Sequence, residues 1–142
     1  MGKKRIVTSS EGDVAVGAKT TAKSSRKRHS AGLLHVQSTY NNTKVMLSDM
    51  AGNILAWSSS GSLGFKGAKK GTPFAASKVG ELMADKATQY GIKEVSVAIN
   101  GVGAGREAAM RAFLAKGMGL VSVSDITPIP HNGPRAPRAR RV

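Results

Sequence analysis

The stretch "AINGVGAGREAAMRAF", residues 98–113, decides how the fold is read. An apolar, β-branched run ends at Ile99 and passes into Gly101, Gly103 and Gly105. Arg106 then opens a segment of helix-forming residues. Strand, glycine turn and helix, in that order, is the unit with which nucleotide-binding folds hold a pyrophosphate at a helix start. Asp125 stands 20 residues beyond Gly105, where a ribose-binding acid would fall. Other features oppose a dinucleotide site. The spacing is G-x-G-x-G, so the third glycine comes one residue early, and Arg106 occupies the position where the helix must pack closely on the strand. The second half of a dinucleotide fold is missing, and no G-x-x-x-x-G-K-[ST] motif occurs. Two readings remain. Either the glycines make a turn of purely structural importance, or the amides of this helix start, helped by Arg106, receive a phosphate of a nucleic-acid backbone.

Working outward from this unit, "GLLHVQSTY" and "TKVMLSD" are apolar-rich runs on either side of Asn41-Asn42, a dipeptide that tolerates positive φ and suits a two-residue hairpin turn. "DMAGN" (49–53) reads as a second turn and "NILAWSSS" as a third strand. "GSLGFKGAKKG" (61–71) carries four glycines and three lysines and reads as loop. Thr72 is placed to cap a helix whose first position is Pro73. Ala75, Val79, Leu82, Met83 and Tyr90 follow at near-helical spacing, and Gly91 ends the helix. Lys93 to Asn100 is a fourth strand, Arg106 to Lys116 a second helix stopped at Gly117, and "LVSVSDI" a fifth strand. The order β-β-β-α-β-α-β predicts an α/β domain on a mixed sheet, an antiparallel meander first and parallel crossovers after.

Charge sorts the chain into three parts. With 22 basic and 8 acidic residues the net charge is +14, a value that self-repels in a free compact protein and fits a polyanionic partner. Residues 1–30 form a basic N-terminal tail of net +6, residues 31–126 a core domain of net +4, and residues 127–142 a Pro/Arg-rich extended tail of net +4. The N-terminal tail has almost nothing to bury and is expected to lack structure alone. The four prolines of "TPIPHNGPRAPRARRV" forbid a regular helix. No apolar run approaches the roughly 20 residues of a membrane span, and the basic residues lie mostly outside the helices, so a membrane-surface protein is disfavoured. With no cysteine, there is neither a disulfide framework nor a thiolate site.

The stretches "YNNTKVMLSDMAGNILAWSSSGSLGFKGAKKGTPFAA", "NGVGAGREAAMRAF" and "SDITPIPHNGPRAPRARRV" carry a resemblance. Over residues 32–142 the chain resembles the universal eleventh protein of the small ribosomal subunit in its bacterial form, with D-[IV]-T-P-I-P-H-N-G and a basic end as the most specific signature. It departs from the family at Gly71, Asn100, Val102 and Pro134, where serine, lysine, proline and cysteine are common. The resemblance implies a ribonuclease-H-like α/β/α sandwich with a five-stranded mixed sheet and basic extended tails. It implies a structural constituent of the small subunit that binds ribosomal RNA on the platform, beside the messenger RNA exit region and neighbouring platform proteins. It also implies a ribosome-bound cytoplasmic protein, bacterial rather than organellar.

By match, the RNA-facing residues are Lys66, Lys69 and Lys70 of the basic loop, Gly101, Gly103, Gly105 and Arg106 of the glycine turn, and His131, Asn132, Arg135, Arg138, Arg140 and Arg141 of the C-terminal tail. Arg26, Lys27 and Arg28 join them from the N-terminal tail. Phe65 either stacks on an exposed base or anchors its loop to the core. Ribonuclease H nucleases use clustered carboxylates and metal. Here the core acids, Asp49, Glu81, Asp85, Glu94, Glu107 and Asp125, show no D-x-D or E-x-x-H pattern, and His29, His35 and His131 are scattered. No catalysis, cofactor, metal or homo-oligomer is expected.

Overall fold

The computed structural model describes residues 29–135 and 137–138. Strands β1 (Ala31–Ser38), β2 (Thr43–Ser48) and β3 (Ile54–Ser59) come first, followed by helix α1 (Pro73–Tyr90), strand β4 (Glu94–Asn100), helix α2 (Gly105–Leu114) and strand β5 (Gly119–Asp125). The sheet order is β3-β2-β1-β4-β5. The first three strands are antiparallel neighbours, whereas β4 runs parallel to β1 and β5 parallel to β4. The α/β class, the mixed five-stranded sheet and the element order match the expectation.

Alternation along the strands sets which face is covered. Leu34 and Val36 of β1, Val45 and Leu47 of β2, and Val95, Val97 and Ile99 of β4 form one buried cluster. Ala76, Val79, Met83, Ala84 and Ala87 of α1 and Ala109 and Phe113 of α2 complete it. Each large apolar side chain so buried contributes about 1.5–3 kcal/mol. Both helices therefore lie on the same face of the sheet. They pack closely because Gly80 has no side chain, and a Cβ there would overlap the Ala109 carbonyl oxygen. Among the described residues the opposite face carries no helix, so the layering is helices on one side of an open sheet and not the α/β/α sandwich that the resemblance implies, and every residue of the edge strand β5 is exposed.

The helix signals act as expected at α1. Thr72 Oγ1 accepts from the Ala75 amide at 3.3 Å, Pro73 takes the first turn, and Gly91 closes the helix in the left-handed region at φ 79°. Asp49 shapes the turn at 49–53, its carboxylate accepting from the Ala51 amide at 2.9 Å and the Asn53 amide at 2.8 Å.

Three further expectations are corrected. The first hairpin turns on Tyr40 and Asn41 rather than on Asn41-Asn42, because the Thr39 amide donates to the Asn42 carbonyl at 2.9 Å. Neither turn residue has positive φ. Instead the Thr39 hydroxyl closes the turn, accepting from the Asn42 amide at 3.2 Å and donating to its carbonyl at 3.1 Å. The lysine loop contains a 3-10 turn over Gly67–Gly71. It forms because the Lys69 carbonyl accepts both the Thr72 amide and the Thr72 hydroxyl, which feeds the chain directly into the cap of α1. Helix α2 begins at Gly105 and ends at Leu114, with Gly117 in the left-handed region at φ 90° closing the turn beyond it.

Candidate nucleic-acid interface

Ser38, Asn100 and Asp125 are the last residues of the three parallel strands, so the loops that follow them meet at one end of the sheet. The hairpin tip, the lysine loop and the glycine turn all lie there, and both helices start there. The carboxyl ends of parallel strands are the usual location of binding sites in α/β folds. Two helix starts add partial positive charge.

Glycines make this convergence possible. A Cβ at Gly71 would overlap the Tyr40 carbonyl oxygen, so the lysine loop lies directly against the hairpin tip. On the other side, a Cβ at Gly101 would overlap the Ser38 carbonyl oxygen and one at Gly103 the Thr39 carbonyl oxygen. At Gly105 it would collide with the Thr43 hydroxyl and lie 2.8 Å from Ala76 Cβ. The three glycines that open the reading of the sequence are thus required by protein packed against them. Gly101 also adopts φ 97°, which side chains disfavour.

The hydrogen bonds of the turn give its donors internal partners. The Gly103 amide donates to the Ser38 carbonyl at 2.9 Å, and the Arg106 amide donates to the Gly103 carbonyl at 3.4 Å. The Gly101 amide donates to the Thr127 hydroxyl at 3.1 Å. The Arg106 guanidinium donates to the Gly101 carbonyl and to the Asp125 carboxylate. The residue in the ribose-acid position is therefore committed to the protein. Thr127 first, through its hydroxyl, and then Arg106 hold the Asp125 carboxyl well below the usual carboxylate range. Asp49 is also lowered, chiefly by the Asn53 side chain and amide.

Both shifts link stability to pH. The folded-state values are depressed, so the stability they contribute is present above the unfolded carboxylate value of about 3.9 and is lost as pH falls below it. The melting temperature is expected to drop between about pH 5 and pH 3, and less in Asp125→Asn. Equal drops in the two proteins, followed by circular dichroism, would exclude Asp125 as a source.

Charge is unevenly partnered. The ion pairs among the described residues are Lys78–Glu81, Arg106–Asp125, Arg111–Glu107 and Lys116–Asp85. Lys44, Lys66, Lys69 and Lys70, all at the loop-bearing end, join none of them. Lys44, Lys66 and Lys69 are exposed and Lys70 is half-buried. Phe65 anchors its loop. Its ring meets that of Phe74 edge to face with centroids 6.1 Å apart, and Lys78 Nζ lies 5.9 Å from the Phe74 centroid.

Of the residues expected from sequence, Lys66, Lys69 and Lys70 share this end with Gly101, Gly103, Gly105 and Arg106. His131, Asn132, Arg135 and Arg138 are exposed on the segment that leaves β5. A bend falls at Asn132, at φ 58°, and brings the Gly133 backbone close enough that a Cβ there would lie 2.7 Å from Pro130 Cβ. Arg26, Lys27, Arg28, Arg140 and Arg141 lie outside the described residues.

Two residues of this surface were not singled out from sequence. Tyr40, at the hairpin tip, is 77% exposed. Lys44 stands opposite Gln37 across the β1–β2 ladder and, with Gln37, Thr39 and Asn42, lines a cavity of about 230 Å³. The alternation of β2 marks Lys44 as solvent-facing, but only the folded hairpin brings it beside the loops. Residues 32–141 match the family described as Ribosomal protein S11, and the chain belongs to the ribosomal protein S11 family, proteins of the small ribosomal subunit.

Proposed function

We propose that the chain binds small-subunit ribosomal RNA through the loop-bearing end of its sheet and its two basic tails. In this reading it acts as a non-catalytic structural constituent of the platform, beside the messenger RNA exit region and next to neighbouring platform proteins, in cytoplasmic bacterial ribosomes. The observation that carries the proposal is the set of lysines at positions 44, 66, 69 and 70 with no acidic partner, gathered at the end where both helices start. Lysine is a mobile point charge suited to phosphates at varied geometry, and arginine forks onto phosphate or stacks on bases. Arg135 and Arg138, with His131 and Asn132, carry the same charge along the segment that leaves β5, and the proposal counts Arg26, Lys27, Arg28, Arg140 and Arg141, which lie outside the described residues, as further RNA contacts. Tyr40 offers an exposed ring for stacking. With 6 aromatic residues in the chain, recognition rests on the shape and backbone of folded RNA rather than on a stacking platform. Gly101, Gly103, Gly105 and Arg106 contribute by holding the turn in place.

Neutralisation of roughly six to ten phosphates predicts that RNA affinity falls by orders of magnitude between about 50 and 200 mM salt. Filter binding to purified small-subunit ribosomal RNA measures this, and sucrose-gradient sedimentation should find the protein with the small subunit. A flat salt response, or a protein that stays at the top of the gradient, would remove the proposal.

A further inference from the structure

The residues around Thr127 form a closed network. Its hydroxyl donates to Asp125 Oδ1 at 2.5 Å and accepts from the Gly101 amide at 3.1 Å and from the Arg106 guanidinium at 3.3 Å. One donor and two acceptor positions exhaust what a hydroxyl has. The Thr127 amide also donates to Asp125 Oδ1, at 2.9 Å, and the other Asp125 oxygen accepts from Arg106. One residue earlier, the Ile126 amide donates to the Ile99 carbonyl at 2.8 Å.

This network sits where the core ends and the tail begins. Its far side is the Gly101 turn, which is wedged against the β1–β2 hairpin and has little freedom to move. Its near side is the residue before Pro128. A residue that precedes proline is confined to extended backbone, and proline fixes the next φ. Thr127 is half-buried, whereas Ile129 is 79% exposed, so the chain leaves the protein surface within two residues of the network.

We infer that Arg106, Asp125 and Thr127 are positioning residues that set the direction in which the arginine tail leaves the core, so that Arg106 acts on RNA through Thr127 and not by touching phosphate. The inference rests on the RNA-binding reading above. Its physical basis is entropy. Ordering a free tail costs backbone entropy at every residue, and a tail whose first residues already point along the RNA loses less on binding.

The alternative, a direct Arg106–phosphate contact, makes opposite predictions. Were Arg106 a phosphate ligand, Asp125→Asn would free it and remove a negative charge from the interface, so RNA would bind more tightly. Thr127→Val, which leaves every charge in place, would change nothing. Positioning by the network predicts that both substitutions weaken binding to purified small-subunit ribosomal RNA, by roughly tenfold, and that Thr127→Ser restores it. The loss should also be non-additive with Arg135→Ala/Arg138→Ala, because a tail without its arginines gains nothing from being aimed.

A measurement without RNA separates this inference from the reading on which it rests. In the free full-length protein, amide exchange at Gly101 should speed up about tenfold or more in Thr127→Val, while circular dichroism stays that of the wild type. Where Thr127→Val lowers the folded content, Thr127→Ala, which also removes the acceptor of the Gly101 amide, carries the same test. Unchanged Gly101 exchange overturns the network, even with RNA binding intact. Faster exchange with RNA affinity within twofold of wild type, or tighter binding by Asp125→Asn, overturns the positioning role. A wild-type protein whose RNA affinity ignores salt overturns the RNA reading instead.

Discussion

Gly101→Ala is expected to destabilise the protein by about 3–5 kcal/mol, the sum of left-handed strain and a backbone clash that cannot relax cheaply. The new Cβ would meet the Ser38 carbonyl oxygen in a residue whose φ is 97°. That carbonyl already accepts the Gly103 amide, so moving it breaks a second contact. Against a total of about 5–15 kcal/mol for a domain, such a loss lowers the melting temperature by roughly 10–20 °C. Gly52→Ala is the control. Its φ is 92° but nothing lies within 4 Å of the added carbon, so only the strain remains, about 1–2 kcal/mol. Thermal unfolding of the two variants checks the account. Equal losses would mean that the turn needs glycine for conformation alone, and that the packing of the hairpin against it contributes nothing.

Removing the basic loop should have the largest effect on RNA. In Lys66→Ala/Lys69→Ala/Lys70→Ala, affinity for small-subunit ribosomal RNA is expected to fall by about two orders of magnitude at low salt. The slope of log affinity against log salt should become shallower by about 2–3, since each lost phosphate contact removes roughly 0.7–0.9. Stability should hardly move, because these lysines join no ion pair in the fold and substitutions of that kind stay within about 0.5 kcal/mol. Filter binding over a salt series, with a melting curve of the same preparation, decides the matter. An unchanged slope would place the phosphate contacts elsewhere, and a large fall in melting temperature would make the loop part of the core.

Much of the fold was legible because the signals that mark it are local. The Thr72 hydroxyl, the Pro73 ring and Gly91 bracket α1 by chemistry contained within a few residues of each helix end. Alternation along β1 and β2 exposes its period whatever the neighbours. The errors were also local in origin. Asn41-Asn42 looked like the turn, but a hydroxyl one position before the turn, on Thr39, closed it around Tyr40 and Asn41 without positive φ. The 3-10 turn at Gly67–Gly71 was hidden among glycines and lysines that read equally well as loop.

The site divides along the same line. Net charge, the basic loop and the exposed tail follow from composition, because uncompensated cations stay in water wherever the chain folds. A glycine-rich turn between β4 and α2 is visible in the sequence, but the reason for glycine at 101, 103 and 105 is not. The atoms that exclude a Cβ there belong to Ser38, Thr39, Thr43 and Ala76, residues far earlier in the chain. Arg106 has no visible partner in the sequence until β5 forms beside β4 and presents Asp125 and Thr127 to it. Lys44 is an ordinary exposed lysine until the hairpin sets it opposite Gln37 at the loop-bearing end of the sheet. Sequence by itself determined the strands and α-helices, the alternation of β1 and β2 and the sign of the surface, since these depend on side-chain chemistry and spacing along the chain. Only the tertiary structure decided which cations are neutralised and which are left for a ligand, because that depends on distances between residues that pairing of β1 with β4, and β4 with β5, brings together.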